Sequence, residues 1–446
     1  MVGMPAPSGK RLLFFAYYFP PLGGAGSQRA LSFARHLPAH GWEVVVVTPR
    51  EGVYGLDSSF PMLALPGVCI VRTGTFEPAV LVRRLLGKGR ASGGGTGGSY
   101  VDEVEVGTLG HALRQWVRRR LYFPDSSRGW VRSAVAAARK VHRKTPVTAV
   151  LSSSPPVSGH LAAMRFSKEQ GIPWVADWRD LWVEHLDRAA PRLPESLALD
   201  REILGTADGL TAVTASLGQL LRMKKPRGPV RTVRNGFEPE DFSSTPPPAF
   251  GEEGFRIVYT GTVYSPEEQY LGAFLEALRQ VNEEGGGKRV RLRILGKVHP
   301  ESMELVRRSD PGGAVDLAGF VSHEETIRSI QQADLLFVMT TTRTDRSGLA
   351  EVPAKTYEYL AARRPILVLT EEGSETQRVL KGLVGVWFRG FRDVEGIRSA
   401  IREAMAFRPV PLPSWDGLAA YSRGSQAAAL AGLLDEVSAA RTGATP

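Results

Sequence analysis

From residue 12 to residue 388 the chain alternates short apolar, β-branched runs with stretches of helical spacing. That rhythm dictates parallel α/β architecture. The runs of the first half fall at 12–17, 43–48, 69–72, 149–153, 174–177, 210–214 and 231–234, with helical patterns between them such as 27–40 and 158–170. Val44-Val45-Val46-Val47 lacks the alternation of a half-exposed strand, so it predicts a strand buried on both faces. The rhythm stops at 236–254, a polar, irregular stretch around Pro246-Pro247-Pro248 that suits a linker. It resumes at 255–260, 290–295, 315–317, 334–339, 365–369 and 384–388, with helices at 271–284, 322–332 and 355–362.

A chain of 446 residues is too long for one ordinary core. The pattern predicts two doubly wound, Rossmann-like domains, 1–235 and 255–414, joined by the linker 236–254. An amphipathic segment, 415–446, is expected to cross back onto the first domain. Ligands in such sheets bind beyond the carboxyl ends of the strands, so two facing sheets predict a cleft. Residues 87–99 (GKGRASGGGTGGS) form a low-complexity loop.

Composition narrows the class. Hydrophobic residues at 43% and charged residues at 23% are ordinary for a folded protein. The single cysteine, Cys69, sits in an apolar run and is expected to be a small buried residue. No segment reaches the ~20 apolar residues of a membrane span. The N-terminal apolar run ends in Pro20-Pro21 and reads as a first strand, so a cytoplasmic location is expected. A net charge of +10 calls for an anionic partner: nucleic acid, a membrane surface or a phosphorylated substrate. The excess is concentrated at 111–144, with ten Lys or Arg against one acid, Asp125. There Trp116, Leu121, Tyr122 and Phe123 interleave with Arg114, Arg118, Arg119 and Arg120. This pattern fits either a helix resting on anionic lipid or a solvated helix covering the sheet.

The first strand leads into Phe19-Pro20-Pro21-Leu22-Gly23-Gly24-Ala25-Gly26-Ser27-Gln28-Arg29. Gly23, Gly24 and Gly26 ahead of a helix allow close backbone approach and offer amide donors to an anion; a plain tight turn is the alternative. In SGLAEVPAKTYEYLAARRPIL, Lys355 and Glu358 share a helical face directly before a strand. A glutamate there can take paired ribose hydroxyls and a lysine a phosphate; an i,i+3 surface ion pair is the alternative. Asp177, Arg179 and Asp180 at the end of a strand are placed for acid–base work, or for a buried Arg179–aspartate pair. His160 either faces the ligand side or serves as a cap or surface residue. The histidines show no metal-ligand spacing, and no acidic pair suggests Mg²⁺.

The segment around Lys355, Glu358 and Tyr359 resembles the donor-site element of retaining family-4 glycosyltransferases, in particular their polysaccharide-biosynthesis branch. FFAYYFPPLGGAGSQRALSFARHL, VADWRDLW, ADGLTAVTASLGQLL, TVRNGFEPEDF, IVYTGTVY, LRILGKV, VDLAGFVSHEE and ADLLFVMT resemble further pieces of that family in the same order, over about residues 11 to 435. The resemblance implies the GT-B fold and transfer of a sugar from a nucleotide diphosphate sugar to an acceptor hydroxyl, with the anomeric configuration retained and no metal or other cofactor. It implies Glu358 on the donor ribose, Lys355 and Lys297 on the diphosphate, Gly261 beneath it, and Gly23, Gly24 and Gly26 across the cleft. Asp177, Arg179, Asp180 and Glu351 become the candidate catalytic groups. The sequence departs from the family in three places. The histidine that relatives often present near the donor sugar is missing, and Asp177 or Trp178 stands in its neighbourhood. Ala350 stands where relatives carry a second glutamate, with Glu351 one place later, and 262–269 lacks their Arg and Lys. Expected partners are the donor, a glycan, lipid-linked or small-molecule acceptor, and an anionic membrane surface on its inner face, but no nucleic acid. The alternatives are a nucleotide-sugar epimerase of the same fold, an inactive partner subunit, or a basic nucleic-acid-binding module.

Overall fold

The computed structural model describes residues 9–22, 24–50, 65–76, 123–186, 192–242, 254–266, 270–284, 289–310, 312–343, 346–407 and 415–442. They belong to two units, residues 1–234 with 426–446, and residues 235–425.

In the first unit the strands are β1 (Arg11–Phe15), β2 (Glu43–Pro49), β3 (Val68–Thr73), β4 (Ala149–Ser154), β5 (Trp174–Trp178), β6 (Gly209–Ala212) and β7 (Val230–Thr232). They form one parallel sheet in the order β3-β2-β1-β4-β5-β6-β7. Among the described residues its α-helices are α1 (Ala25–His36), α2 (Val131–Lys144), α3 (Val157–Gln170), α4 (Leu193–Thr206) and α5 (Ala215–Met223). Strand side chains point alternately to two faces. Leu13 and Phe15 pack with Val131, Phe166 and Ile203 of the helices on one side, while Leu12 and Phe14 pack with Phe33 of α1 on the other. The second face is completed by Leu430, Leu434 and Val437 of the C-terminal helix Arg423–Thr442. With both faces covered, Val44 through Val47 are all buried, as their unbroken run predicts. Each large side chain sealed in this way contributes about 1.5–3 kcal/mol.

Cys69 corrects the sequence reading: it is exposed. Its strand, β3, is the sheet edge, and the neighbouring Ile70 is 38% exposed as well. Local apolarity marks a strand but does not say where that strand lies in the sheet.

The second unit repeats the plan with β8 (Phe255–Thr260), β9 (Val290–Leu295), β10 (Val315–Gly319), β11 (Leu335–Met339), β12 (Ile366–Leu369) and β13 (Val386–Arg389), parallel in the order β10-β9-β8-β11-β12-β13. Its helices of six or more residues that belong wholly to this unit are α6 (Gly272–Glu283), α7 (Pro300–Ser309), α8 (His323–Gln331), α9 (Lys355–Ala362), α10 (Glu375–Leu380) and α11 (Val394–Ala406). Ser322 and Ser374 cap α8 and α10 by accepting the Glu325 and Gln377 amide protons, a contact worth ~1 kcal/mol at such positions. Arg363, in the left-handed conformation at φ 53°, ends α9 and turns the chain into β12. Residues 236–242, from the stretch expected to be a linker, pack into this unit: Phe237 and Phe242 are buried in its core. No helix among the described residues is long and apolar enough to cross a membrane.

In each sheet the order in which strands are added reverses once, while all strands stay parallel. In the first unit the reversal lies between β1 and β4, in the second between β8 and β11. The glycine turns singled out by sequence follow β1 and β8, so each sits at the switch point of its own sheet, where doubly wound sheets hold ligands.

Candidate functional site

In the second unit, α9 brings the sequence-predicted groups together. Tyr359, on its buried side, accepts the Thr260 amide hydrogen at 2.9 Å and lies 3.2 Å from the Thr260 hydroxyl. This pins α9 to the carboxyl end of β8. One turn earlier, the Lys355 ammonium lies over the Tyr259 ring, 3.5 Å from its centroid. It also sits 3.3 Å from where a Cβ would stand on Gly261, whose φ of +96° already favours glycine. Gly296, at φ +143°, approaches so closely that a Cβ would strike the Gly261 carbonyl oxygen. Lys297 follows it, exposed, with its carbonyl accepting from the Val263 amide at 2.8 Å. Two glycine backbones at adjacent strand ends, with a lysine over one of them, make a surface suited to a phosphate.

Lys355 and Glu358 do not form the i,i+3 ion pair weighed above. Arg423 is the cation beside Glu358, 3.6 Å from its carboxylate. Burial raises the Glu358 carboxyl above the ordinary range, with Arg423 and then His323 pulling it back and Asp241 pushing it further up. Burial lowers Lys355 to about 7, opposed by Glu358. His323 is raised by its 2.8 Å hydrogen bond with Asp241. Glu351 is partly buried and its carbonyl accepts the Thr376 hydroxyl at 3.0 Å; the preceding Ala350 is buried.

In the first unit Gly24, at φ +94° and ψ 167°, takes a conformation that belongs to glycine and opens α1. Gly26 makes room for Arg179: a methyl group there would displace its guanidinium. The same guanidinium donates to the carbonyls of Pro155 and Ser154 and lies 5.9 Å from the Tyr18 ring centroid. Asp180 beside it is exposed. Gly23 lies outside the described residues, as do Trp116, Arg118, Arg119 and Arg120 of the basic stretch.

Asp177 is placed differently from the sequence expectation. It is fully buried, and its carboxylate accepts from Arg29 at 2.7 and 3.0 Å, from Ser153 at 2.7 Å and from Thr211 at 2.6 Å. Burial alone would raise this acid, but Arg29, Thr211 and Ser153 together outweigh it and hold Asp177 below the ordinary range. A carboxylate sealed and saturated in this way has no route to a substrate proton. The buried pair is real, but its cation is Arg29 and not Arg179. Sequence carried a signal for this: Arg29 falls in line with the apolar stripe of Ala30 and Phe33 on α1 and Leu37 just beyond its end. His160 is neither cap nor surface residue. It is buried on α3, with Nδ1 2.8 Å from the Ser152 hydroxyl and its ring 4.8 Å from that of Trp178, and burial holds it neutral, down at about 3.

Residues 24–236 match the family model described as the glycosyl transferase 4-like domain. Over that span, just under half of the chain, the protein is similar to a family-4 glycosyltransferase domain. Over 183 residues it is 24% identical to the amylovoran biosynthesis glycosyltransferase AmsK of Erwinia amylovora. That match covers 41% of this chain and 44% of AmsK, so it spans less than half the length of this relative. Among solved structures, sucrose-phosphate synthase of Thermosynechococcus elongatus is similar with a TM-score of 0.59 at 14% identity, covering 97% of this chain and 98% of that one. A glycosyltransferase from Rickettsia africae ESF-5 is similar with a TM-score of 0.54 at 11% identity, with the same coverage. At these identities the likeness speaks for the fold alone: two parallel α/β units of the GT-B fold, as the sequence implied.

Proposed function

We propose that the chain is a family-4 glycosyltransferase that moves a sugar from a nucleotide diphosphate sugar to an acceptor hydroxyl with retention of configuration, in the synthesis of a polysaccharide or glycoconjugate. The observation that carries the reading is the Lys355 ammonium over Gly261 at the switch point, with Glu358 one turn further along α9. A diphosphate seated on Gly261 and Gly296 meets Lys355, and the attached ribose reaches Glu358. As the sugar departs, negative charge grows on the diphosphate, and Lys355, Lys297 and backbone amides stabilise it. Arg179, held against Gly26 by carbonyls of its own unit, is the first unit's cation for the acceptor side. The name of AmsK supports a polysaccharide product. The test is the anomeric configuration of the product, read by NMR from donor and acceptor. Inversion contradicts retention, and a donor epimerised without transfer favours the epimerase reading.

Because Lys355 is held at about 7 without ligand and a diphosphate favours its charged form, binding takes up a proton above that pH. Affinity should therefore fall as pH rises through 7, by up to about tenfold per unit until the liganded value is passed. Titrations of wild type and Lys355→Gln at pH 6, 7 and 8 check this, since the ligand's own titration cancels in the ratio. A constant ratio removes Lys355 from the diphosphate.

Charge neutralisation by lysines makes turnover independent of divalent metal. Activity should survive EDTA; complete loss restored by Mn²⁺ would overturn this part of the reading. Asp345, the acid nearest the Glu358 segment in sequence, lies outside the described residues.

The basic, aromatic stretch at 111–144 supports attachment to anionic lipid, which would bring the enzyme to a lipid-linked acceptor. Wild type should bind anionic vesicles at low salt and release them as salt rises, and replacing Arg118, Arg119 and Arg120 with Ser should weaken binding. Indifference of wild type to such vesicles at low salt sinks the idea.

A further inference from the structure

Glu358 receives its cation from the far end of the second unit. The first and last segments of that unit run side by side, with Phe237 and Ser422 in a parallel bridge. The Phe237 amide donates to the Tyr421 carbonyl at 3.2 Å, and the Arg423 amide to the Phe237 carbonyl at 2.9 Å. Gly236 permits this approach, because a Cβ there would strike the Tyr421 carbonyl. Arg423 is thus fixed by its backbone. Its side chain is fixed as well: Nε donates to the Gly236 carbonyl at 3.1 Å, and the Nη groups lie 3.8 Å from Glu238 and 3.6 Å from Glu358. The side chains of Arg423, Glu238 and Glu358 are only 14%, 6% and 13% exposed.

We propose that Arg423 is a positioning residue for the donor nucleotide, keeping Glu358 a carboxylate aimed to accept both hydroxyls of a ribose. This rests on the reading of Glu358 as the ribose ligand. A diol offers two protons and needs two acceptor oxygens; a protonated glutamate has one acceptor and an O–H that competes. Burial favours that protonated form. The charged groups that bear on Glu358 are Arg423 from the returning segment, His323 from α8, Asp241 from the 236–242 stretch and Lys355 from α9 itself, and Arg423 is the strongest of those opposing burial. At 3.6 Å its contact with Glu358 is electrostatic and not a hydrogen bond. It therefore supplies charge while leaving the oxygens open to a ligand. A tight bidentate pair would occupy the same lone pairs.

The experiment is calorimetric titration with whichever of UDP, GDP, dTDP, CDP and ADP binds wild type best, on wild type, Arg423→Gln, Arg423→Lys and Glu358→Gln, from pH 5.5 to 8. In Arg423→Gln the affinity deficit against wild type should widen as pH falls, to about tenfold more at pH 5.5 than at pH 8, the effect of about one pKa unit. Arg423→Lys keeps the charge and should stay within about threefold of wild type at every pH, on the same scale. A deficit in Arg423→Gln that is absent, or equal at every pH, means a merely structural arginine and overturns the proposal. If the glutamine variant does not fold, a folded Arg423→Lys with lost affinity overturns it equally. Wild-type affinity in Glu358→Gln strikes instead at the ribose assignment, and the proposal falls with it. Weak binding in Glu358→Gln beside a pH-independent Arg423→Gln removes Arg423 alone.

Discussion

Replacing Glu358 with alanine is expected to weaken nucleoside diphosphate binding by about 10- to 150-fold, equivalent to roughly 1.5–3 kcal/mol, the range for hydrogen bonds to a charged group. The side chain is partly buried on α9, and its removal leaves the anchors of that helix intact: Tyr357, Tyr359 and Leu360 stay buried, and Tyr359 keeps its bond to Thr260. Arg423 loses one carboxylate but keeps Glu238 and the Gly236 carbonyl. The fold should therefore survive, and the loss should appear in binding. Titration of a variant with wild-type thermal stability checks this. Undiminished affinity would take Glu358 out of the site.

A second large effect is expected in the first unit. Arg29→Ala should destabilise it by about 3–5 kcal/mol, because it leaves the Asp177 carboxylate buried without its cation. That is a large part of the ~5–15 kcal/mol that holds a typical domain together. Asp177 has no accessible surface, and the Arg29 side chain only 3%. Neither charge can recover solvation by turning outward. The double change Arg29→Met with Asp177→Leu should cost much less than Arg29→Ala alone, since both charges then leave together. Urea unfolding followed by tryptophan fluorescence reads this, because Trp174 and Trp178 lie on the same strand as Asp177. A wild-type midpoint for Arg29→Ala would contradict the assignment. Asp177 is also held below the ordinary carboxylate range, so its stabilising contribution is present above the unfolded pKa and is lost as pH falls through the folded value.

What sequence could show divides along chain distance. The strands were legible because parallel strands covered on both faces leave unbroken apolar runs, as at 44–47. Lys355 and Glu358 were legible because three residues on one helix settle their neighbourhood. Gly24 and Gly261 were legible as glycines before they were known to have φ of +94° and +96°. The partners of the charged groups were not. Asp177 and Arg29 stand 148 positions apart, and only strand order brings β5 and α1 together. Arg423 and Gly236 are 187 apart, and no spacing rule links them. Cys69 failed for a related reason, because being an edge strand is a property of the sheet and leaves no mark on six residues of sequence.

Binding of a nucleotide diphosphate sugar by the second unit is read by titrating wild-type protein in EDTA with UDP, GDP, dTDP, CDP and ADP. At least one of them should bind saturably, with an affinity that Glu358→Ala lowers by about 10- to 150-fold. Failure of all five to bind, in EDTA and again with Mg²⁺ restored, would contradict it.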